Sequence, residues 1–132
     1  MTKEAIARGT AKWIERNILP NLAPHGIMRT VLKGAIRLAE ANPDAATALL
    51  SAKFPLLPTL VSTAGDDKSF SAVMDAMKSA TKDEDGMVMQ FFEIGLFNNA
   101  PHSLTVEPKH IEELEADIKS AAAAEKAGTE AK

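Results

Sequence analysis

Cysteine and tyrosine are both absent from this chain. Without thiols there is no disulfide, no thiolate metal site and no cysteine nucleophile. That absence fits a reducing compartment, so a cytoplasmic location is the expectation. Aromatics are scarce, one Trp and five Phe, which leaves little with which to stack bases or sugar rings. No apolar run approaches the roughly 18–20 residues of a spanning helix, and no transmembrane segment is expected. Residues 1–6 have neither the apolar core nor the cleavage pattern of a secretory signal. The seven glycines are scattered singly, so nothing resembles a P-loop or a Gly-x-Gly-x-x-Gly phosphate cradle. No His-Glu-x-x-His pair and no nucleophile elbow occurs either.

What the chain does have is an uneven spread of charge. Residues 1–53 carry eight Lys/Arg against four Asp/Glu, and residues 54–132 carry seven against fourteen. The formal net charge of −3 conceals this polarity. All the arginines lie in the first part, in two ladders of equal spacing: Arg8, Lys12, Arg16 and Arg29, Lys33, Arg37. Residues four apart stack on one helix face, so each ladder projects as a basic stripe. With 132 residues, 45% of them apolar and 25% charged, the expectation is one globular domain over residues 1–125. Residues 126–132, where the apolar periodicity is gone, are expected to be a frayed tail.

The periodicity predicts a helix over residues 2–19, with Ile6, Trp13, Ile14 and Ile18 on one stripe and the first ladder away from it. Gly9 weakens that helix by about 1 kcal/mol relative to alanine, which predicts fraying of its first turns. Pro20 and Pro24 end it. A second helix, over residues 25–41, is apolar around most of its circumference and is expected at the centre of the fold. Asn42, Pro43 and Asp44 then supply an N-cap, a first helical residue and an acid in the first turn of a third helix. Pro55 and Pro58 break the apolar run 54–61, which reads as a buried connection closing into a short helix after Pro58. Asp67 or Ser69 is expected to cap a helix over residues 70–81, with Phe70, Val73, Met74 and Met77 at helical spacing.

The period then shortens. After a turn at Asp83, Glu84, Asp85 and Gly86, residues 87–97 read as a strand apolar on both faces. Residues 98–101 read as a turn, and residues 102–106 as the returning strand. Glu107 and Pro108 open a last helix with Ile111, Leu114 and Ile118 in one stripe. The expected class is therefore α+β, mostly α: four to five helices, a C-terminal β-hairpin and a final amphipathic helix. Two strands alone are marginal in water, so the hairpin is expected to pack on helices or to join a second copy in a homo-oligomer.

A helix, the turn Asp83-x-Asp85-Gly86, a short hairpin and the run Thr105-Val106-Glu107-Pro108-Lys109-His110-Ile111-Glu112-Glu113-Leu114 into an acidic helix resembles the layout of small uncharacterised phage and prophage proteins. The helical front half ending in Asn42 and Pro43 is similar in style. The resemblance implies a phage origin and assigns no catalytic residue.

Candidate sites were weighed against blander roles. An EF-hand register with Gly86 sixth puts Phe92 at the twelfth position, where a bidentate carboxylate is required, so the acidic turn reads as a turn. His102 and His110, with Glu107 or Glu113, are the nearest approach to an acid–base cluster. A turn histidine and a helix histidine is the plainer reading, and His25 is read as part of a helix start. Met74, Met77, Met87 and Met89 read as packing side chains before they read as a pliable partner groove. No residue pattern asks for a cofactor, a metal or a catalytic group.

The candidate binding surface is Arg8, Lys12, Arg16, Arg29, Lys33 and Arg37. Against it stands a solvated face, partly neutralised by Glu4–Arg8 and Lys12–Glu15 pairs or by the acidic last helix. The function read from the sequence is a small non-enzymatic protein-interaction or structural protein that docks on a protein partner or on itself. The alternative is weak, salt-dependent nucleic-acid binding through the two stripes. An acidic chain of pI about 5.6 argues against that alternative.

Overall fold

Thr2 lies extended ahead of α1 (Lys3–Asn17), and its hydroxyl accepts the Ala5 N–H at 3.0 Å as an N-cap. The same hydroxyl donates to the Glu125 carboxylate, which ties the start of the first helix to the last. The structure, a computed structural model, describes residues 1–21, 27–51, 54, 56–83, 87–94 and 99–130, with 87–94 and 99–106 described by backbone alone. After α1 come a 3-10 turn containing Pro20 (Leu19–Asn21), α2 (Ile27–Ala41), α3 (Pro43–Ser51), α4 (Leu56–Val61), α5 (Asp67–Asp83) and α6 (Pro108–Glu130).

The central element is α1, not the α2 expected from hydropathy. Ala5, Ile6, Ala7, Gly9, Thr10, Ala11, Trp13 and Ile14 are all buried, and α1 contacts α2, α3, α4 and α6. In contrast, α2 buries Leu32, Ala35 and Ala39 but leaves Ile27 57% and Val31 43% exposed. Small residues explain the exchange of roles. Alanine and glycine score weakly as hydrophobes, yet they let several neighbours approach one backbone closely, whereas branched side chains hold neighbours off. Gly9 is the extreme case: a Cβ there would stand 2.4 Å from Ile118 Cα and 2.6 Å from its N. Rather than a point of fraying, Gly9 is where α1 and α6 cross.

Around α1 the core gathers Trp13 and Phe54, whose rings lie 5.5 Å apart and tilted by 41°. Leu50, Leu57, Leu60, Phe70, Met74, Ile111, Leu114 and Ile118 complete it. Met74 and Met77 are core packing residues; the side chains of Met87 and Met89 lie outside the described residues. Thr10 is fully buried and its hydroxyl has no hydrogen-bond partner among the described residues. An orphaned buried hydroxyl costs about 1–3 kcal/mol of desolvation. Thr10→Val keeps the shape and removes the orphan, so it is expected to raise stability by about 1 kcal/mol in urea unfolding. Loss of stability would show that the hydroxyl has a partner.

The local signals at helix starts were largely those of the sequence, with two corrections. Asn42 Oδ1 accepts the Ala45 N–H at 3.2 Å and caps α3 as expected. Helix α4 begins before Pro58, which sits in its first turn, where a missing N–H costs nothing. The cap of α5 is Asp66 rather than Asp67 or Ser69. Gly65 takes φ +84° to turn the chain, and Asp66 then accepts the N–H groups of Lys68 and Ser69 and the Ser69 hydroxyl. Those Ser69 bonds, with the weaker Lys68 bond, hold the Asp66 carboxyl below its ordinary value. A depressed folded value means that this contribution is present above the unfolded pKa of about 3.9. It is lost as pH falls through the folded value. Asp66→Asn is therefore expected to flatten that part of the acid limb of a stability–pH curve, and an unchanged limb would remove the cap from the account.

The α+β class expected from the sequence is corrected. The fold is mainly helical, with six helices among the described residues. Residues 87–94 and 99–106 form only a two-stranded antiparallel backbone ribbon, with Met87 opposite Val106 and Ile94 opposite Asn99. The reason is that the apolar stripe of α6 meets α1 on one side and α5 on the other, so helices close the core around it. Residues 126–130, expected as a frayed tail, continue α6.

Candidate functional site

Two ladders of cations were expected to form stripes, and the helices do present them at four-residue spacing. Tertiary contacts then divide them into two kinds. Three of the arginines are engaged within the chain. Arg8 donates through Nε to Ala39 O at 3.3 Å and through Nη2 to Glu40 O at 3.1 Å, and so caps carbonyls at the end of α2 that have no partner inside the helix. Its guanidinium also lies 4.0 Å from the Glu40 carboxylate and 3.9 Å from that of Glu125. Arg16 donates to Glu113 at 2.6 Å and to Asp117 on α6. Burial works against its charge, but the hydrogen bond and charge of Asp117, then those of Glu113, outweigh it and hold the pKa above the ordinary value. Arg29 donates to Leu19 O at 3.2 Å. Arginine's fork of donors suits all three of these roles.

Lys12, Lys33 and Arg37 are different. All three are exposed, and none has a hydrogen bond or ion pair among the described residues. Glu4–Arg8 and Lys12–Glu15, expected to neutralise the stripe, do not form as ion pairs among the described residues. Instead Arg8 turns toward α2 and α6, and Lys12 is left unpaired.

The unpaired cations share a cleft. Between α1 and α2 lies an open groove of about 430 Å³, whose walls carry Lys12 and Arg37 beside Glu15 and Glu40. Ala11, Ile36 and Ala39 supply its apolar part. A smaller recess of about 180 Å³ adjoins it, sharing Glu15, Ile36 and Arg37 and adding Lys33 and Leu19. The sequence placed Glu15 beside Lys12 but offered no signal for Ile36 and Glu40 as members of the site, because only the packing of α2 on α1 brings them there.

Part of the acidic half is consumed internally. Besides Glu113, Asp117 and Glu125, Glu115 takes Lys78 at 2.9 Å and lies 3.9 Å from Lys119. The Glu115 hydrogen bond raises the Lys78 pKa against the effect of burial, and the charges of Glu115, Asp75 and Glu112 add to it. Ion pairs therefore join α1 to α6 through Arg8 and Arg16, and α5 to α6 through Lys78, inside one chain.

The histidine cluster is not assembled among the described side chains. His110 Nδ1 accepts the Glu107 N–H at 2.9 Å, which closes the N-terminus of α6. Its carbonyl takes the Trp13 indole N–H at 2.9 Å. The side chain of His102 and the whole of His25 lie outside the described residues, as do Glu84, Asp85 and Gly86 of the acidic turn. Among the described residues no group of three or more His, Asp or Glu could hold a metal ion, and no helix is long and apolar enough to cross a membrane. Compared with protein-family models, curated proteins and solved structures, the chain matches none.

Proposed function

We propose that this chain is a non-enzymatic interaction protein whose contact surface is the groove between α1 and α2. One observation carries the reading: Lys12, Lys33 and Arg37 stay exposed and have no partner among the described residues, while Arg8, Arg16 and Arg29 of the same ladders are bound within the chain. Cations held along one cleft attract an anionic partner and speed its encounter, more strongly at low salt. A cytoplasmic location and the phage or prophage origin implied by residues 70–118 belong to the same proposal. Self-association through the charge halves is the weaker form of it, because α6 already spends Glu113, Asp117 and Glu115 on its own chain.

Retention on a sulfonate cation exchanger at pH 7 tests the patch. A chain of net charge −3 is expected to be held at low salt only through a concentrated positive face. Lys12→Glu/Lys33→Glu/Arg37→Glu is expected to flow through. Equal behaviour of the two proteins would mean that these cations are merely dispersed in solvent. Light-scattering mass at low and high salt reports self-association separately.

A further inference from the structure

We infer that the α1–α2 groove takes an acidic, amphipathic segment of another polypeptide, lying along the groove with its carboxylates on Lys12, Lys33 and Arg37 and an apolar side chain against Ile36. This rests on the groove being the contact surface, and it adds the chemistry of the partner. Three features of the cleft choose a peptide over a nucleic acid.

The first is mixed charge. Glu15 and Glu40 stand in the same walls as Lys12 and Arg37 and as Arg8 and Arg16, which are already engaged within the chain. A phosphate backbone carries uniform negative charge and meets repulsion at both carboxylates. A polypeptide can set acids opposite Lys12, Lys33 and Arg37 and a neutral or basic residue opposite Glu15 and Glu40. The second is the half-buried Ile36 in the floor of the groove, beside the buried Ala11 and Ala39, whose exposed part contributes only if the partner has an apolar side chain to bury there. The third is the absence of any aromatic ring from the lining of either recess, so bases have nothing to stack on. A furrow between two helices, with an apolar floor and charged walls, is the kind of surface on which an amphipathic helix docks through residues one turn apart.

Fluorescence anisotropy on the full chain tests this with three labelled probes: a synthetic helical peptide of alternating Glu and Leu faces, poly-glutamate of equal charge, and a single-stranded oligonucleotide. The amphipathic peptide is expected to bind most tightly. Lys12→Glu/Lys33→Glu/Arg37→Glu is expected to weaken it at least tenfold, and Ile36→Ser severalfold. Because none of the three cations has a partner among the described residues, the variants should melt like the parent. The milder Lys12→Gln/Lys33→Gln/Arg37→Gln carries the test if charge reversal disturbs folding. Poly-glutamate or the oligonucleotide binding as tightly as the peptide, with the same dependence on the three cations, overturns the partner assignment and leaves the groove reading standing. If no probe responds to the substitutions, both are overturned.

Discussion

Gly9→Ala is expected to destabilise this protein by about 3 kcal/mol, although the same change in an exposed helix stabilises by about 1 kcal/mol. The new Cβ would meet the backbone of α6, 2.4 Å from Ile118 Cα and 2.6 Å from its N, as well as 2.8 Å from Ile118 Cγ1. A clashing side-chain tip can rotate away; backbone cannot, so the two helices must separate along their crossing. That separation loosens Ile6, Ile14, Leu114 and Ile118 together and stretches the Arg16 bonds to Glu113 and Asp117. Gly34→Ala is the internal control. Nothing lies within 4 Å of its Cβ position in the middle of α2, so it should gain about 0.5–1 kcal/mol. Urea unfolding of the two variants should therefore shift the midpoint in opposite directions. A Gly9→Ala protein as stable as the parent would mean that α1 and α6 do not cross so closely.

Trp13→Ala is expected to cost about 3–5 kcal/mol, a large part of the roughly 5–15 kcal/mol of a typical domain. Trp13 is 1% exposed and packs against Phe54, so truncation leaves a cavity between α1 and the connection after α3. It also deprives His110 O of the indole N–H at 2.9 Å. Trp13→Phe separates the two effects: it keeps much of the ring volume and loses the hydrogen bond, for about 1–2 kcal/mol. As Trp13 is the single tryptophan, its fluorescence reports unfolding of the parent directly, while circular dichroism serves for the variants. A Trp13→Ala melting point within a few degrees of the parent would remove this residue from the centre of the core.

Much of the helical framework was legible because its signals are local. Asn42, Pro43 and Asp44 start a helix wherever they occur in that order, and the stripe Ile111, Leu114, Ile118 marks a buried face without reference to a partner. The strand reading of residues 87–97 was also local, but it predicted a layer, and layers are tertiary. Once α6 packed on α1 and α5 packed on α6, burying Phe70, Met74, Ile111 and Leu114, the core closed among helices. The choice of α2 as centre failed for a related reason: hydropathy counts Ile27 and Val31 as core residues and undervalues Ala5, Ala7, Gly9 and Ala11. Close approach depends on what a side chain lacks as much as on what it carries.

By itself the sequence determined the start of α3 at Asn42 and Pro43, which residues could be buried, that no thiol is present in it, and that cations lie at four-residue spacing in two places. Each of these depends on residues near one another in the chain. The tertiary structure alone decided which helix lies innermost, and that Gly9 marks a crossing rather than a weak turn. It also decided that Arg8, Arg16 and Arg29 are engaged while Lys12, Lys33 and Arg37 remain open to a partner. A charge is satisfied or left free by what comes within a few ångströms of it. For Arg16 those neighbours, Glu113 and Asp117, are about a hundred residues away in sequence and 2.6 Å or less in space.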